Sequence, residues 1–350
     1  MFRFERSPVP AARRHAGGFS LVELLVASAI GVVMTMVIAT VFANSAKTGT
    51  VTQTINEIQE QAAVALEMLQ RDVRQSGYAG CNSNRVLGTG GMVNTMTTPT
   101  SYLNNLPRYL SGYDGDGASF TPAAPAEVTG ALPAAFVGAD AITIRVPSQE
   151  PVALSGTMAS GSTAIPVFAT TGFSSNSRAM VSDCARSASF RVTSTTATTL
   201  AHTAGAATNL TANLGRAFGP DATVVPFNSI SYYVGPSSVA PLGTERSLWR
   251  RVDTTAASEE VAEGVENFQL TYGIDTNADL SADLFQTADS VVDWNQVIAV
   301  RASLLLHSKE VIAARSPQAY DFNGVTGVAP GDRRLRRPFN VTILLRNRTL

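Results

Sequence analysis

Lysine is almost missing from this chain. Lys47 and Lys309 are the two lysines in 350 residues, so arginine carries the positive charge. Charged residues of either sign make up only 15% of the chain and nearly cancel, at −1, which argues against a strong nucleic-acid field. The three histidines, His15, His202 and His307, lie far apart and give no zinc spacing. Gly-x-Ser-x-Gly and phosphate-loop patterns are absent, and nothing supports a catalyst. No fixed-period repeat is present. Cysteine is limited to Cys81 and Cys184. In an exported domain such a pair reads as a disulfide before a metal site, with two buried free thiols as the alternative. A bridge would remove about 4–5 kcal/mol of unfolded-state entropy on the chain-entropy model.

The most informative stretch is an apolar run over residues 19–43, free of proline and holding one charge, Glu23, near its start. As a helix it would reach ~37 Å, enough for a bilayer core. A carboxylate in such a run costs roughly 2.5–3.5 kcal/mol on insertion scales, which marks Glu23 as functional. An incidental interfacial glutamate is the alternative. Arg3, Arg6, Arg13 and Arg14 precede the run against a single Glu5. That bias keeps the N-terminus cytoplasmic and sends the bulk of the chain across the membrane. A removable signal peptide is the competing reading, but its apolar region is normally shorter.

Beyond the run, Ile55, Ile58, Ala62, Leu66, Leu69 and Val73 form one stripe at helical spacing. The spacing predicts an amphipathic helix over residues 44–77, with Gly77 as its stop and residues 48–52 as its weak link. Residues 78–135 read as irregular, with a turn-rich stretch at residues 113–117. Short strands are expected between residues 139 and 215, clearest at residues 141–146. Stronger strand signals follow on either side of Pro226, at residues 247–252, at 268–274, at 297–306 and at 339–345. The longest of these, 297–306, is expected to be central. The fold class is therefore α+β, a long N-terminal helix packed on an antiparallel β-sheet head.

Gly18, Phe19, Ser20-Leu21-Val22, Glu23 and Leu24-Leu25 resemble the class III signal of type IV prepilins. Gly264-Val265-Glu266-Asn267-Phe268, Trp294-Asn295-Gln296-Val297 and Arg337-Pro338-Phe339-Asn340 are similar to segments of the PilW family of minor pilins. The resemblance implies a leader over residues 1–18, a transmembrane helix over 19–43, a periplasmic helix over 44–77 and a β-rich pilin head over 78–350. It implies cleavage between Gly18 and Phe19 by prepilin peptidase, then methylation of Phe19. It further implies a non-catalytic subunit that primes type IV pilus assembly and sits at or near the tip. The implied partners are other minor pilins, the major pilin, a large tip adhesin and the inner-membrane assembly machinery. The protein would be a single-pass inner-membrane protein with a periplasmic head, and later part of the pilus at the cell surface. A minor pseudopilin of a type II secretion system shares the signal and the helix-on-sheet plan. Where many major pilins carry a proline inside the membrane segment, this chain has Thr40, so any melting must come from low propensity near Thr48-Gly49.

Charge chemistry assigns Glu23 a partner. Cleavage after Gly18 frees an ammonium on Phe19, and a neighbouring subunit's Glu23 is of opposite sign. At ~4 Å and an effective dielectric of 20 the two attract by about 4 kcal/mol before desolvation. A second candidate site is Asp275-x-Asn277-x-Asp279-x-x-x-Asp283, whose oxygens could curl round calcium. Leu280 occupies the glycine position of an EF-hand loop, and a solvated acidic turn is the alternative. Residues 333–337 form a basic cluster before the last expected strand. It reads as a solvated edge that discourages strand pairing, with DNA or anionic-surface binding as the other possibility, so nucleic acid is not the first reading.

Overall fold

The computed structural model describes residues 18, 20–81, 83, 91–131, 133–239, 245–253, 257–311 and 316–349. It divides into two compact units, residues 1–53 and 54–350. One helix, α1 (Leu21–Gln75), runs from the first unit into the second.

In the first unit α1 is exposed from Leu21 to Thr50, and the helix is long and apolar enough to cross a membrane. Three hydroxyls within its apolar run bond back to the helix. Ser28 donates to the Leu25 carbonyl at 2.9 Å, Thr35 to Gly31 at 2.9 Å and Thr40 to Val37 at 2.8 Å. Internal satisfaction of this kind is what a hydrocarbon solvent demands. The threonines that make residues 48–52 a weak link are held the same way. Thr48 donates to Asn44 at 3.0 Å, Thr50 to Ala46 at 3.1 Å and Thr52 to Thr48 at 2.9 Å. The helix continues through Gly49 without a break.

In the second unit the amphipathic stripe of α1 meets the main core. Ile58, Ala62, Ala65, Leu69 and Val73 are buried, and Ile55 and Leu66 pack at its margin. One member of the buried face is a charge, Asp72, only 3% exposed. Tyr232 donates its hydroxyl to Asp72 Oδ2 at 2.7 Å, and Arg250 Nε donates to the same oxygen at 2.8 Å. Tyr232 and Arg250 are opposite partners on two paired strands, Thr223–Pro236 and Arg246–Val252. Burial, and then the Asp72 carboxylate beside it, push the Tyr232 phenol far above its ordinary range. The helix ends at Gln75 and Gly77 takes φ 75°, a left-handed turn suited to glycine. Asn347 Nδ2 then donates to the carbonyls of Gln75 and Ser76, both at 3.1 Å. The predicted stop is thus completed by a cap from the other end of the chain.

Among the described residues the head holds a ten-stranded and a four-stranded sheet, with two small accessory sheets. The four-stranded sheet is antiparallel, in the order Leu284–Gln286, Val265–Ile274, Val297–Val311, Arg334–Leu344. Val297–Val311 is interior, where its near-continuous apolar run is buried. The ten-stranded sheet is antiparallel except where Met92–Asn94 pairs parallel with Ser187–Arg191. Asp140 joins the two sheets by accepting from Gly115 N at 3.0 Å and Leu270 N at 2.7 Å. Burial raises its carboxyl to about 7. Tyr109 adds a second tie, donating to the carbonyls of Trp294 at 3.0 Å and Val297 at 2.7 Å.

Three expectations need correction. Pro226 interrupts nothing, because Thr223–Pro236 is one strand of 14 residues. On one flank its pairing with Val152–Ala153 covers Thr223 and Val224, and pairing with Ala141–Pro147 starts only at Phe227. The missing N–H of proline falls in that gap. Residues 113–115 are not a turn but the end of strand Leu110–Gly115, and the turn follows at residues 116–119. Its strand signal is weak because Leu110, Ser111, Gly112 and Tyr113 are all buried, so no alternation shows. The basic cluster lies mostly inside the last strand rather than before it, since that strand starts at Arg334.

Residues 148–222 are inserted between two strands that pair directly, Phe227 standing opposite Pro147. They build a second apolar core around Leu154, Ile165, Phe190, Leu200 and Phe218, with Val224 closing it from the long strand. The disulfide Cys81–Cys184 fastens this insert to the segment after α1, with Cα atoms 5.1 Å apart. Beside it Ser182 donates to the Ala79 carbonyl at 2.7 Å. A Cβ on Gly80 would lie 2.0 Å from that Ser182 hydroxyl, so this close approach requires glycine. His202 is fully buried in the second core, its ring 5.1 Å from that of Phe190, with both ring nitrogens unpartnered.

Two outcomes test this packing. Asp72→Ala leaves Arg250 and Tyr232 without their shared acceptor, and a loss of about 3–5 kcal/mol is expected. Urea unfolding of the full chain in detergent, followed by fluorescence of buried Trp249 and Trp294, measures it; a loss under about 1 kcal/mol would contradict the network. Burial lowers the His202 ring to about 4, below its unfolded value of about 6.5. The folded state therefore binds fewer protons between those values, and stability falls as pH drops through that window. Asp140, raised to about 7, acts oppositely and costs stability as pH rises from about 4 towards 7. His202→Leu should remove only the first effect, so its gain over the parent chain grows from pH 6.5 to 4 in the same unfolding assay.

Candidate functional site

The first turn of α1 is a reciprocal cap. Ser20 is the N-cap, and its hydroxyl accepts from Glu23 N at 3.1 Å. The Glu23 carboxylate reaches back and accepts from Ser20 N at 3.2 Å through Oε2. Leu24 N donates to the Ser20 carbonyl at 3.2 Å, which opens the helical ladder. Ser-x-x-Glu at this spacing satisfies two orphan N–H groups at once, and the helix dipole favours the carboxylate there. Glu23 thus has a local task that the charge argument overlooked, although the three-residue spacing from Ser20 signals it in the sequence. Its Oε1 has no hydrogen-bond partner among the described residues. A carboxylate offers about four acceptor sites, so one local bond leaves capacity for a second donor. Gly18 is exposed, whereas Phe19 and residues 1–17 lie outside the described residues.

The acidic stretch 275–283 forms a turn that satisfies itself. Asp275 is 8% exposed, and its Oδ1 accepts from the backbone of Asn277 at 3.3 Å, Ala278 at 2.7 Å and Asp279 at 3.3 Å. Its Oδ2 accepts from Leu280 N at 2.9 Å. Asp283 accepts from Thr276 N at 2.8 Å and from the Thr276 hydroxyl at 2.6 Å, which hold its carboxyl below the usual range. The Asn277 amide donates to Asp279 at 3.1 Å and Asp283 at 3.4 Å, so an N–H₂ group sits where a cation would. Turning that amide would cost the 2.9 Å bond from Asp279 N to Asn277 Oδ1. Among the described residues no group of three or more His, Cys, Asp or Glu side chains is arranged to hold a metal ion.

The basic cluster is largely spent on carboxylates. Arg334 pairs with Glu245 at 2.7 Å, and His307 Nε2 lies 3.2 Å from the same carboxylate. Arg336 pairs with Glu266 and Asp332, both at 2.6 Å. The Arg336 guanidinium holds the Asp332 carboxyl down to about 2. These charges stitch the last strand to its surroundings instead of forming one open cationic face.

Residues 231–347 match the family described as type IV pilus-assembly protein W. Residues 13–39 match the prokaryotic N-terminal methylation motif. The first stretch contains Tyr232, Arg250 and Asn347, the residues that hold α1, and the second contains the Ser20–Glu23 cap. No curated protein matches the chain. Among solved structures it is similar to a type IV-like pilin from Thermus thermophilus, at 17% identity and a TM-score of 0.23, over 35% of this chain and 67% of that one.

Calcium titrated into the full chain in detergent is expected to give no binding heat at millimolar concentration, since backbone N–H groups fill Asp275 and the Asn277 amide donates to both Asp279 and Asp283. A heat signal that Asp279→Asn abolishes would restore calcium to this loop.

Proposed function

We propose that this chain, a PilW-family type IV pilin with a class III prepilin signal, is a minor pilin that primes pilus assembly and sits at or near the pilus tip. On the family match we read the chain as a structural pilin and not an enzyme. The match over residues 231–347 carries the reading, and it favours a pilus over a type II secretion system as the site of assembly. Other minor pilins, the major pilin and a large tip adhesin are the proposed neighbours. Before assembly the apolar part of α1 would anchor the chain in the inner membrane with the head in the periplasm; afterwards the subunit would be carried to the cell surface.

The proposed maturation runs through the first turn. Prepilin peptidase cuts after Gly18, and Phe19 becomes a free, then methylated, ammonium. Glu23 of one subunit pairs with Phe19 of another and sets their axial register. The cap geometry supports this reading: the carboxylate is held at the helix start with Oε1 open to a second donor. Pairing would offset the cost of a lone carboxylate in hydrocarbon.

Glutamine separates the two tasks of Glu23, because Glu or Gln closes a capping box while only Glu brings charge. Glu23→Gln should be processed and stable but should fail to co-purify with other pilins from membranes. Glu23→Ala should lose the cap as well. Normal recovery of partners by Glu23→Gln, identified by mass spectrometry, would exclude the charge pairing.

A further inference from the structure

A polar cleft of about 420 Å³ opens where the insert meets the main sheet, and it shares no lining residue with the 275–283 loop. Ser174, Ser175, Asn176 and Arg178 line it from the insert, and Asn228 and Asp253 line it from the sheet. Among the described residues Arg178 and Asp253 are its only charged members, and they pair with each other. The cleft is therefore neutral as a whole. Arg178 is 9% exposed and uses Nη2 on Asp253, and its Nε is buried without a partner. Asp253 Oδ1 accepts from Ser229 N at 2.8 Å, which fixes the carboxylate in place.

Two further observations single this cleft out. Asn176 and Asp253, one contributed by each side, have φ of 72° and 53°. They are two of the six non-glycine residues with positive φ among the described residues. Such conformations cost energy and persist where the surroundings enforce them, often at ligand sites. In addition, the side-chain amides of Asn176 and Asn228 make no hydrogen bond within the described residues, although Asn176 N is held by the Val192 carbonyl at 2.8 Å. Each amide offers two donors and one acceptor.

The chemistry of these groups selects a ligand. An anion would face Asp253 and a cation Arg178, each at the expense of their pair. An apolar molecule would strand both amides at about 1–3 kcal/mol apiece. A neutral molecule with adjacent hydroxyls, each both donor and acceptor, matches amides and a guanidinium–carboxylate fork. We propose that this cleft binds a neutral saccharide.

Saturation-transfer NMR tests it on the full chain, held in a detergent without a sugar headgroup. Glucose, galactose, mannose and N-acetylglucosamine are offered at millimolar concentration, with N-acetylneuraminic acid as an acidic comparison. Transfer to at least one neutral sugar is expected. Asn176→Gly relieves the left-handed backbone while removing the amide, and Asn228→Ala removes the other; each should weaken binding about tenfold, the equivalent of about one hydrogen bond, with the melting temperature unchanged. No transfer to any neutral sugar overturns the proposal. So does transfer to the acidic sugar alone, or undiminished transfer in both variants.

Discussion

The fold of the head depends on one carboxylate. Asp72 lies on the buried face of α1 in its last turn, beside Leu69 and Val73, where an unpaired charge would be costly. It is tolerable there because a tyrosine and an arginine, opposite each other on neighbouring strands, both point their donors at it. That requirement is directional, unlike the hydrophobic stripe around it. Apolar contact alone would let the helix slide by a turn or rotate by a residue. A three-way hydrogen bond allows one rotation and one axial position. Buried polar groups often specify more than they stabilise, and this network sits where specification is needed. The same economy recurs at the sheet junction, where Asp140 accepts one bond from each sheet and Tyr109 donates to the carbonyls of Trp294 and Val297.

The head has two apolar cores rather than one. The long strand Thr223–Pro236 serves both, its first residues closing the insert and its later ones lying under α1. The insert returns to the point from which it departs, since Pro147 and Phe227 are paired. Its strand Arg178–Ser182 pairs with Thr223–Phe227 of the long strand, and three further ties lie at the seam: the disulfide to Cys81, the Ser182–Ala79 bond, and the Arg178–Asp253 pair. A seam of polar contacts between two dry cores leaves room for a polar cleft, and that is where one is found.

Legibility in the sequence followed periodicity. Six apolar residues at spacings of three and four predicted the buried face of α1, and all six are buried or packed against the core. Asp72 broke that pattern and was invisible, because nothing local says that Tyr232 and Arg250 will meet it. The strands at residues 268–274 and 297–306 were readable for the same reason of period and composition. Leu110–Gly115 was not, since a strand buried on both faces shows no alternation. Pro226 misled because proline usually ends a central strand, and the gap between two partner strands is a tertiary fact. The Ser20–Glu23 cap was legible by spacing, and in it Glu23 serves its own helix through one carboxylate oxygen.

The cap on α1's far end has a consequence in time. Asn347 is 271 residues from Ser76, whose carbonyl it holds. At roughly 5–20 residues per second, a ribosome takes about 14–54 s to travel that distance. For that interval the last carbonyls of the helix have water for company, and the strands that will carry Tyr232 and Arg250 are still being made. α1 is therefore finished long before the rest of the head can close upon its buried stripe, and the nascent chain waits for its own final residues.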